Sequence, residues 1–193
     1  CTSNGLRTAT FNFYDDDGNL TSSNVQKCVA ENNRLLSKER FDSEGNSESS
    51  TIYTYSKDFD NSDNPSRTAI AYNGSNFVSK TVTEYQKGGE IPVRESVYDE
   101  NNIRRKLSQD KNSDGDFDNI QEFNEKSQLV LESSDADNDG LIDKKIAYEY
   151  DETGHIIKRL EDDNNDNVYN KITQFNYEDG TYKGMKVSVV QNP

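Results

Sequence analysis

The 193-residue chain has no tryptophan, one histidine and two cysteines, and these shortages exclude several kinds of site. His155 stands alone and the cysteines lie at positions 1 and 28, so neither a histidine-rich zinc site nor a CxxC cluster can form. The nucleophile motif G-x-S-x-G and the phosphate loop G-x-x-x-x-G-K are also missing. We therefore predict that the protein is not an enzyme.

Hydrophobic residues are scarce as well. They make up 30% of the chain, against roughly 45–50% with glycine included in globular proteins, which predicts a thin core. No segment approaches the roughly 20 apolar residues of a transmembrane helix. The 11 tyrosines and 8 phenylalanines are regularly placed, however, and this pattern indicates a folded chain rather than a disordered one.

The charge is strongly of one sign. Acidic residues number 36 and basic residues 22, which gives a net charge of −14. Because nucleic-acid binding depends on neutralising phosphates with lysine and arginine, we expect no nucleic-acid partner. Bound cations would relieve part of the repulsion between these carboxylates.

The clearest motif is DADNDGLID, from Asp135 to Asp143. Counted from Asp135, carboxylates stand at loop positions 1, 3, 5 and 9, and Gly140 stands at position 6. Calcium takes six to eight oxygen ligands, and a loop that turns at a glycine can direct alternate side chains and one carbonyl towards a single point. The motif therefore predicts a Ca²⁺ site.

Two further copies follow the same spacing. DKNSDGDFD begins at Asp110, and a weaker copy begins at Asp162, where Asn167 replaces the glycine; we expect weak or empty occupancy there. A fourth acidic stretch at Asp58 is interrupted by Pro65 and is expected to be a plain turn. The predicted ligands are Asp110, Asn112, Asp114, the Asp116 carbonyl and Asp118; Asp135, Asp137, Asp139, the Leu141 carbonyl and Asp143; and Asp162, Asn164, Asp166, the Val168 carbonyl and Asn170.

These loops differ from EF-hands, which close with a glutamate at position 12 between two helices. Here position 12 is Gln121 in the first loop and Ile146 in the second, and strand-like segments follow. The loops instead resemble the hairpin calcium loops of integrin alpha-chain propeller repeats. That resemblance implies the ligand roles given above, with calcium as the cofactor.

An aromatic residue followed by an acidic or amide residue recurs about every 27 residues, from Tyr14-Asp15 to Tyr177-Glu178. A turn follows each pair, and a second turn lies midway through each unit. Between turns the residues alternate, as in KKIAYEY at residues 144–150. The pattern predicts an all-β fold: an antiparallel meander of hairpins in a single-layer or rolled sheet, with a closed barrel as the alternative. Residues 1–13 are predicted to be a tether and residues 14–193 the repeat domain.

The motif Y-D-x-x-G resembles the YD repeats of RHS and teneurin shells. YDETGHIIKRL, from Tyr150, is the best copy, followed by FDSEG at Phe41 and YDDDG at Tyr14. The resemblance implies hairpin repeats over most of the chain, although 193 residues are too few to enclose a cargo. Tyr-Asp before a turn is also simply good hairpin chemistry.

The first residue of the sequence is Cys1, followed by the small polar run TSNG. This arrangement resembles a mature bacterial lipoprotein, which implies a lipid on Cys1 and attachment to the outer membrane or cell surface. The alternative is a disulfide between Cys1 and Cys28 in a secreted protein. Both alternatives predict an extracytoplasmic location, and a lipid on Cys1 would be the only contact with the membrane.

From these patterns we expect a calcium-stabilised, surface-attached β-repeat protein with a structural or adhesive role. Its partners would be calcium and a protein or glycan at the cell surface. One alternative is an accessory lipoprotein subunit of an outer-membrane complex. Another is a glycan-binding or carbohydrate-active domain that uses its tyrosines and phenylalanines. These alternatives differ in whether the aromatic side chains are paired with one another or exposed as a platform.

Overall fold

The computed structural model describes residues 5–29 and 34–189, and within them every regular element is a β-strand. The strands, of five to ten residues each, are β1 (Leu6–Tyr14), β2 (Leu20–Val29), β3 (Leu35–Asp42), β4 (Ser47–Tyr55), β5 (Ser66–Asn73), β6 (Asn76–Tyr85), β7 (Pro92–Tyr98), β8 (Arg104–Gln109), β9 (Asn119–Phe123), β10 (Leu129–Ser134), β11 (Lys144–Tyr150), β12 (Ile156–Asp162), β13 (Lys171–Glu178) and β14 (Thr181–Val189). The described residues contain no helix that is long and apolar enough to cross a membrane.

The strand order confirms the predicted antiparallel meander. Among the described residues the order runs from β1 to β14 in sequence and does not return to β1, so the strand pairing is not that of the alternative closed barrel. The predicted tether is corrected, because residues 6–13 lie in β1 and pair with β2 from Leu6 opposite Val29 to Tyr14 opposite Leu20. Alternating residues such as Phe11 and Phe13 suit a strand, and the aromatic-acidic repeat did not reveal this first one.

The chain divides into two compact units. The first contains residues 1–89 and 97–102, and the second contains residues 90–96 and 103–193, so that β7 contributes residues to both. In the first unit β1 to β6 pair with their sequence neighbours. In the second unit β8 to β14 do the same. The predicted repeat domain thus comprises two units built on the same pattern.

The turns after the aromatic-acidic pairs explain that motif physically. In the turn after Tyr150, the Asp151 side-chain Oδ1 accepts hydrogen bonds from the backbone N–H groups of Thr153 and His155, both at 2.9 Å. Gly154 then takes a φ of 94°, a conformation that glycine adopts without steric cost. The carboxylate fixes the turn and the glycine closes it, so the motif follows from hairpin chemistry.

The same device recurs in other turns, both where the glycine is present, as at Gly18 and Gly45, and where it is missing. Asp15, Asp42 and Asn124 each accept two backbone N–H groups in the manner of Asp151. Asn102 and Ser127 occupy the glycine position with a φ of 60° each. Asparagine tolerates this backbone conformation, whereas serine rarely adopts it, so the sequence does not reveal the Ser127 turn.

The core is thin in both units, as the composition predicted. Among the described residues the buried hydrophobic side chains are Phe59 and Tyr85 in the first unit and Leu107 and Leu160 in the second. Buried polar residues are more numerous and cluster near the acidic loops of the second unit, where Asp110, Asp118, Asn119, Ser133, Asp135, Glu161, Asp162 and Thr173 are all buried. These buried polar side chains therefore need hydrogen-bond partners within the protein.

Candidate metal centre

The loop from Asp135 to Asp143 joins β10 to β11 and is organised by its first residue. The Asp135 carboxylate is 7% exposed and accepts hydrogen bonds from the backbone N–H groups of Asn138, at 2.7 Å, and Gly140, at 2.9 Å. Asn138 and Gly140 both have positive φ, 62° and 87°. A β-carbon at Gly140 would also lie 3.1 Å from Oδ2 of Asp116, so that exposed side chain would have to shift slightly to admit it.

The ninth residue closes the loop from the other side. Oδ2 of Asp143 accepts hydrogen bonds from the backbone N–H groups of Ala136, at 2.6 Å, and Asp137, at 3.4 Å. The Asp143 N–H donates in turn to the Ser134 carbonyl at 2.9 Å. Both ends of the loop are thus held by the carboxylates that the sequence assigned as ligands.

This folding brings three carboxylates together. Asp135, Asp137 and Asp143 each offer one oxygen, and these oxygens all lie within 4.8 Å of one another, so the cluster could hold a metal ion. The pKa of Asp137 is raised, chiefly by the negative charges of Asp139 and Asp143. Repulsion of this kind favours either a proton or a bound cation.

Asp139, another predicted ligand of this loop, lies outside that cluster. Oδ1 of Asp139 accepts the N–H of Leu141 at 2.9 Å, so this carboxylate also shapes the turn. The Leu141 side chain is 68% exposed, and the part of the residue assigned as a ligand was its backbone carbonyl. The structure therefore assembles three of the four predicted side-chain ligands of the Asp135 loop.

The loop from Asp110 to Asp118 repeats the backbone hydrogen bonds of the Asp135 loop, but its side chains at positions 3 and 5 are arranged differently. Asp110 accepts the N–H groups of Ser113 and Gly115, and Asp118 accepts those of Lys111 and Asn112. At position 3 the Nδ2 group of Asn112 donates to Oδ2 of Asp114 at 2.8 Å. The Asp114 carboxylate thus accepts a hydrogen bond from the Asn112 amide at the position where the Asp135 loop has a second carboxylate. The Asp116 N–H donates to Oδ1 of Asp114 at 2.9 Å.

The loop from Asp162 to Asn170 is the third variant. Oδ2 of Asp162, which is 1% exposed, accepts the N–H of Asn167 at 2.9 Å, and Asn170 accepts the N–H of Asp163. Asn167 has a φ of 66°, which confirms that asparagine replaces the glycine here. Asn164 donates to Asp166 at 3.0 Å, and Asp166 accepts the Val168 N–H at 2.8 Å. Within the described residues, neither this loop nor the Asp110 loop brings three carboxylates as close together as the Asp135 loop does.

The three loops contact one another directly. The Asp135 N–H donates to the Asp118 carbonyl at 3.0 Å, which joins the end of the first loop to the start of the second. Nδ2 of Asn165 donates to the Ile142 carbonyl at 2.7 Å, which joins the second loop to the third. The loops therefore lie side by side along one edge of the second unit.

The acidic stretch at Asp58 forms a turn of another kind. Phe59 is buried, and its ring lies edge-on to the rings of Tyr55 and Tyr85, with centroids 5.1 Å and 5.6 Å away. The Arg34 guanidinium lies over the Phe59 ring at 4.7 Å and pairs with Asp60. Ring packing and ion pairs hold this turn.

Of the two cysteines, only Cys28 lies among the described residues. Cys28 lies half-buried on β2, opposite Arg7 on one side and Leu35 on the other. Among the described residues it belongs to no disulfide. Its predicted partner Cys1, which is also the predicted site of lipid attachment, lies outside the described residues.

A cluster of charged side chains around Glu161 lies beside the loops and was not predicted from the sequence. The buried Glu161 carboxylate pairs with Lys144 at 3.2 Å, with Lys171 at 3.0 Å and with Arg159. Burial opposes ionisation, but these cations prevail and lower the pKa of Glu161. The available signal was the lysine directly after Asp143 and the lysine directly after Asn170.

Comparisons with known proteins yield only distant similarity. No family model matches the chain, and no curated protein matches it. A porin-like protein from Bacteroides uniformis ATCC 8492 aligns over 94% of this chain and 87% of its own length, with 8% identity and a TM-score of 0.29. The structure titled TcdB2-TccC3 without hypervariable C-terminal region aligns over 88% of this chain, with 12% identity and a TM-score of 0.29. The alignment covers 12% of that second protein.

Proposed function

We propose that the protein is a calcium-binding β-repeat protein, stabilised by calcium, with a structural or adhesive role. The observation that carries this proposal is the group of carboxylate oxygens from Asp135, Asp137 and Asp143, which lie within 4.8 Å of one another. The loop backbone holds Asp135 and Asp143 in place through the N–H groups they accept.

The donor set favours calcium among the biological cations. All the nearby side-chain ligands are carboxylates, and hard oxygen ligands suit calcium and magnesium rather than zinc or copper. Magnesium demands a near-ideal octahedron and keeps several of its waters, whereas calcium accepts the irregular set that a short loop provides. The main-chain carbonyl of Leu141 would complete such a set, as position 7 does in other calcium loops.

Calcium would act on stability by binding only the folded loop. A ligand at 100 times its dissociation constant stabilises the folded state by about 2.7 kcal/mol. The same ion would remove the repulsion that raises the pKa of Asp137. We therefore assign calcium the role of holding the loop edge of the second unit rigid, which suits a scaffold or an adhesive surface.

The test is thermal unfolding with calcium and with EGTA. We expect calcium to raise the melting temperature and EGTA to reverse the rise. A double substitution of Asp135 and Asp139 by alanine should lose more of the calcium-dependent shift than the same change at Asp162 and Asp166. Identical melting curves in calcium and EGTA for the unmodified protein would overturn the proposal.

A matched control lies on the turns that follow the aromatic residues. Asp16 and Asp17 are exposed acidic residues of the turn between β1 and β2. Replacing both by alanine removes the same amount of charge as the loop variants do. The calcium shift should remain that of the unmodified protein, whereas an equal loss in this variant would mean that calcium merely screens net charge.

We also propose that the protein functions outside the cytoplasm, where millimolar calcium makes weak sites useful. Attachment through a lipid on Cys1 would place it on the bacterial outer membrane or cell surface, and a Cys1–Cys28 disulfide would fit a secreted form. Mass spectrometry of the native N-terminal peptide separates the two. A Cys1 that carries neither a lipid nor a disulfide would remove the support for both.

A further inference from the structure

An open groove of about 650 Å³ lies on the second unit, away from the acidic loops. It extends over β10, β11 and β12 and reaches the turns that contain Asn124 and Asp151. Its volume falls within the range of small-molecule sites, roughly 300–1,000 Å³. The groove has no part in the proposed calcium site.

The floor of the groove is aromatic and apolar. Tyr148 and Tyr150 stand two residues apart on β11 and therefore face the same side of the sheet, while Val130 and Ile157 flank them from the neighbouring strands. The Tyr150 hydroxyl donates to the Leu129 carbonyl at 2.7 Å, which fixes the direction of its ring. Alternate positions on a strand are about 7 Å apart, so the two tyrosines line the groove as neighbours.

This arrangement differs from the aromatic packing in the first unit. There the rings of Tyr55, Phe59 and Tyr85 contact one another, and Tyr72 contacts Phe77. Among the described residues, neither Tyr148 nor Tyr150 contacts another aromatic ring. Tyr55, Phe59 and Tyr85 therefore serve as internal packing, whereas Tyr148 and Tyr150 line a groove.

The rim is polar and carries both charges. Arg105 and Lys126 supply positive charge, and Glu125, Glu149 and Asp151 supply negative charge. Glu149 is paired with Lys158 at 3.0 Å, and Asp151 contacts His155 at 3.2 Å, so the rim carries no excess of one sign. A rim of this kind favours no ion of either sign, but it offers hydrogen-bond donors and acceptors side by side.

We infer that this groove binds a neutral oligosaccharide. A pyranose ring has an apolar face of C–H groups, which suits the Tyr148 and Tyr150 rings, and a rim of hydroxyls that both donate and accept. The exposed Glu125 and Lys126 on the rim can accept from and donate to those hydroxyls. An open groove also admits the middle of a chain, so a polysaccharide segment fits as well as a chain end.

The test is native affinity electrophoresis in gels that contain pullulan, barley β-glucan, galactomannan or xylan. We expect at least one of these polymers to retard the protein, with little dependence on salt, because the ligand is uncharged. Tyr148→Ala should weaken that binding about tenfold through the loss of one aromatic contact. Glu125→Gln, at an exposed turn position, should weaken binding without disturbing the sheet.

Tyr14→Ala is the matched control. Tyr14 is 59% exposed and precedes Asp15 as Tyr150 precedes Asp151, but it lies in the first unit. This variant should be retarded like the unmodified protein. The inference is overturned if none of the four polymers retards the protein, if Tyr148→Ala and Glu125→Gln both bind normally, or if Tyr14→Ala loses as much binding.

Discussion

The Asp58 turn in the first unit and the Asp135 loop in the second have similar acidic sequences but different means of support. At the first, Phe59 is buried among aromatic rings, and the flanking acids Asp60 and Asp63 pair with Arg34 and Lys87. At the second, no described lysine or arginine pairs with the Asp137, Asp139 or Asp143 carboxylates. Acidic composition alone therefore does not define a candidate cation site. The two regions differ in whether a lysine or arginine side chain already compensates the negative charge of the carboxylates.

Replacing Phe59 by alanine should have the largest effect and should separate the two regions. The ring is 7% exposed, and a buried phenylalanine reduced to alanine costs about 3–5 kcal/mol. Denaturant unfolding should show this loss equally in calcium and in EGTA. Phe13→Ala is the control, because Phe13 is 47% exposed and its removal should cost much less. A calcium-dependent loss at Phe59 would mean that the Asp58 turn also binds the ion.

Substitution of Gly89 by alanine should destabilise the same turn, because Gly89 lies against the Phe59 ring. A β-carbon there would lie 2.4 Å from the Phe59 ring, and the φ of 74° adds strain, so we expect a loss of about 2–3 kcal/mol. Gly88, with a φ of 98° and nothing within 4 Å, is the matched neighbour. Gly88→Ala should cost only the backbone strain, about 1–2 kcal/mol. Equal losses at the two positions would contradict the role assigned to Phe59.

Acid titration should affect the aromatic-acidic turns and the Asp135 loop in opposite directions. Hydrogen bonds from Thr153 and His155 lower the pKa of Asp151 from its ordinary value to about 2. Its contribution to stability is present above pH 3.8 and is lost as the pH falls towards 2. Asp15 and Asp42 also have lowered pKa values, because Asn19 and Asn46 donate to them.

Unfolding followed from pH 5 to pH 2 checks this expectation. Asp151→Asn should flatten part of the loss, because the amide cannot titrate. The raised pKa of Asp137 acts the other way, since protonation of that group relieves repulsion and favours the folded loop. A variant that lost stability in acid as steeply as the unmodified protein would show that Asp151 is not one of the groups responsible.

Much of the fold followed from the sequence because hairpin chemistry is local. An Asp that caps its own turn, a residue with positive φ and an alternating strand lie within a few residues of one another, as around Asp151 and Gly154. The first strand was missed because residues 6–13 carry no turn signal before Tyr14. The burial of Phe59 depends on Tyr85, 26 positions away, and local pattern does not report contacts at that distance.

The positions of the candidate ligands could be predicted from the sequence, but which of these ligands come together in the folded loop could not. Asp137 and Asp139 occupy equivalent positions in the motif, yet the loop directs Asp137 into the carboxylate cluster, whereas Asp139 accepts the Leu141 N–H. Asn112 and Asn164 look like ligands in the sequence, but their amide groups donate to Asp114 and Asp166. Which carboxylate oxygens come close together, and which side chains an amide group reaches, is decided by the folded loop and not by the spacing of the motif.

The most direct test of the calcium account is the melting temperature of Asp137→Asn with EGTA and with calcium. In EGTA the variant should melt above the unmodified protein, because one of the repelling charges is gone. In calcium its gain should be smaller than that of the unmodified protein, because one ligand charge is gone as well. A variant that melts lower in EGTA and keeps the full calcium gain would contradict the account.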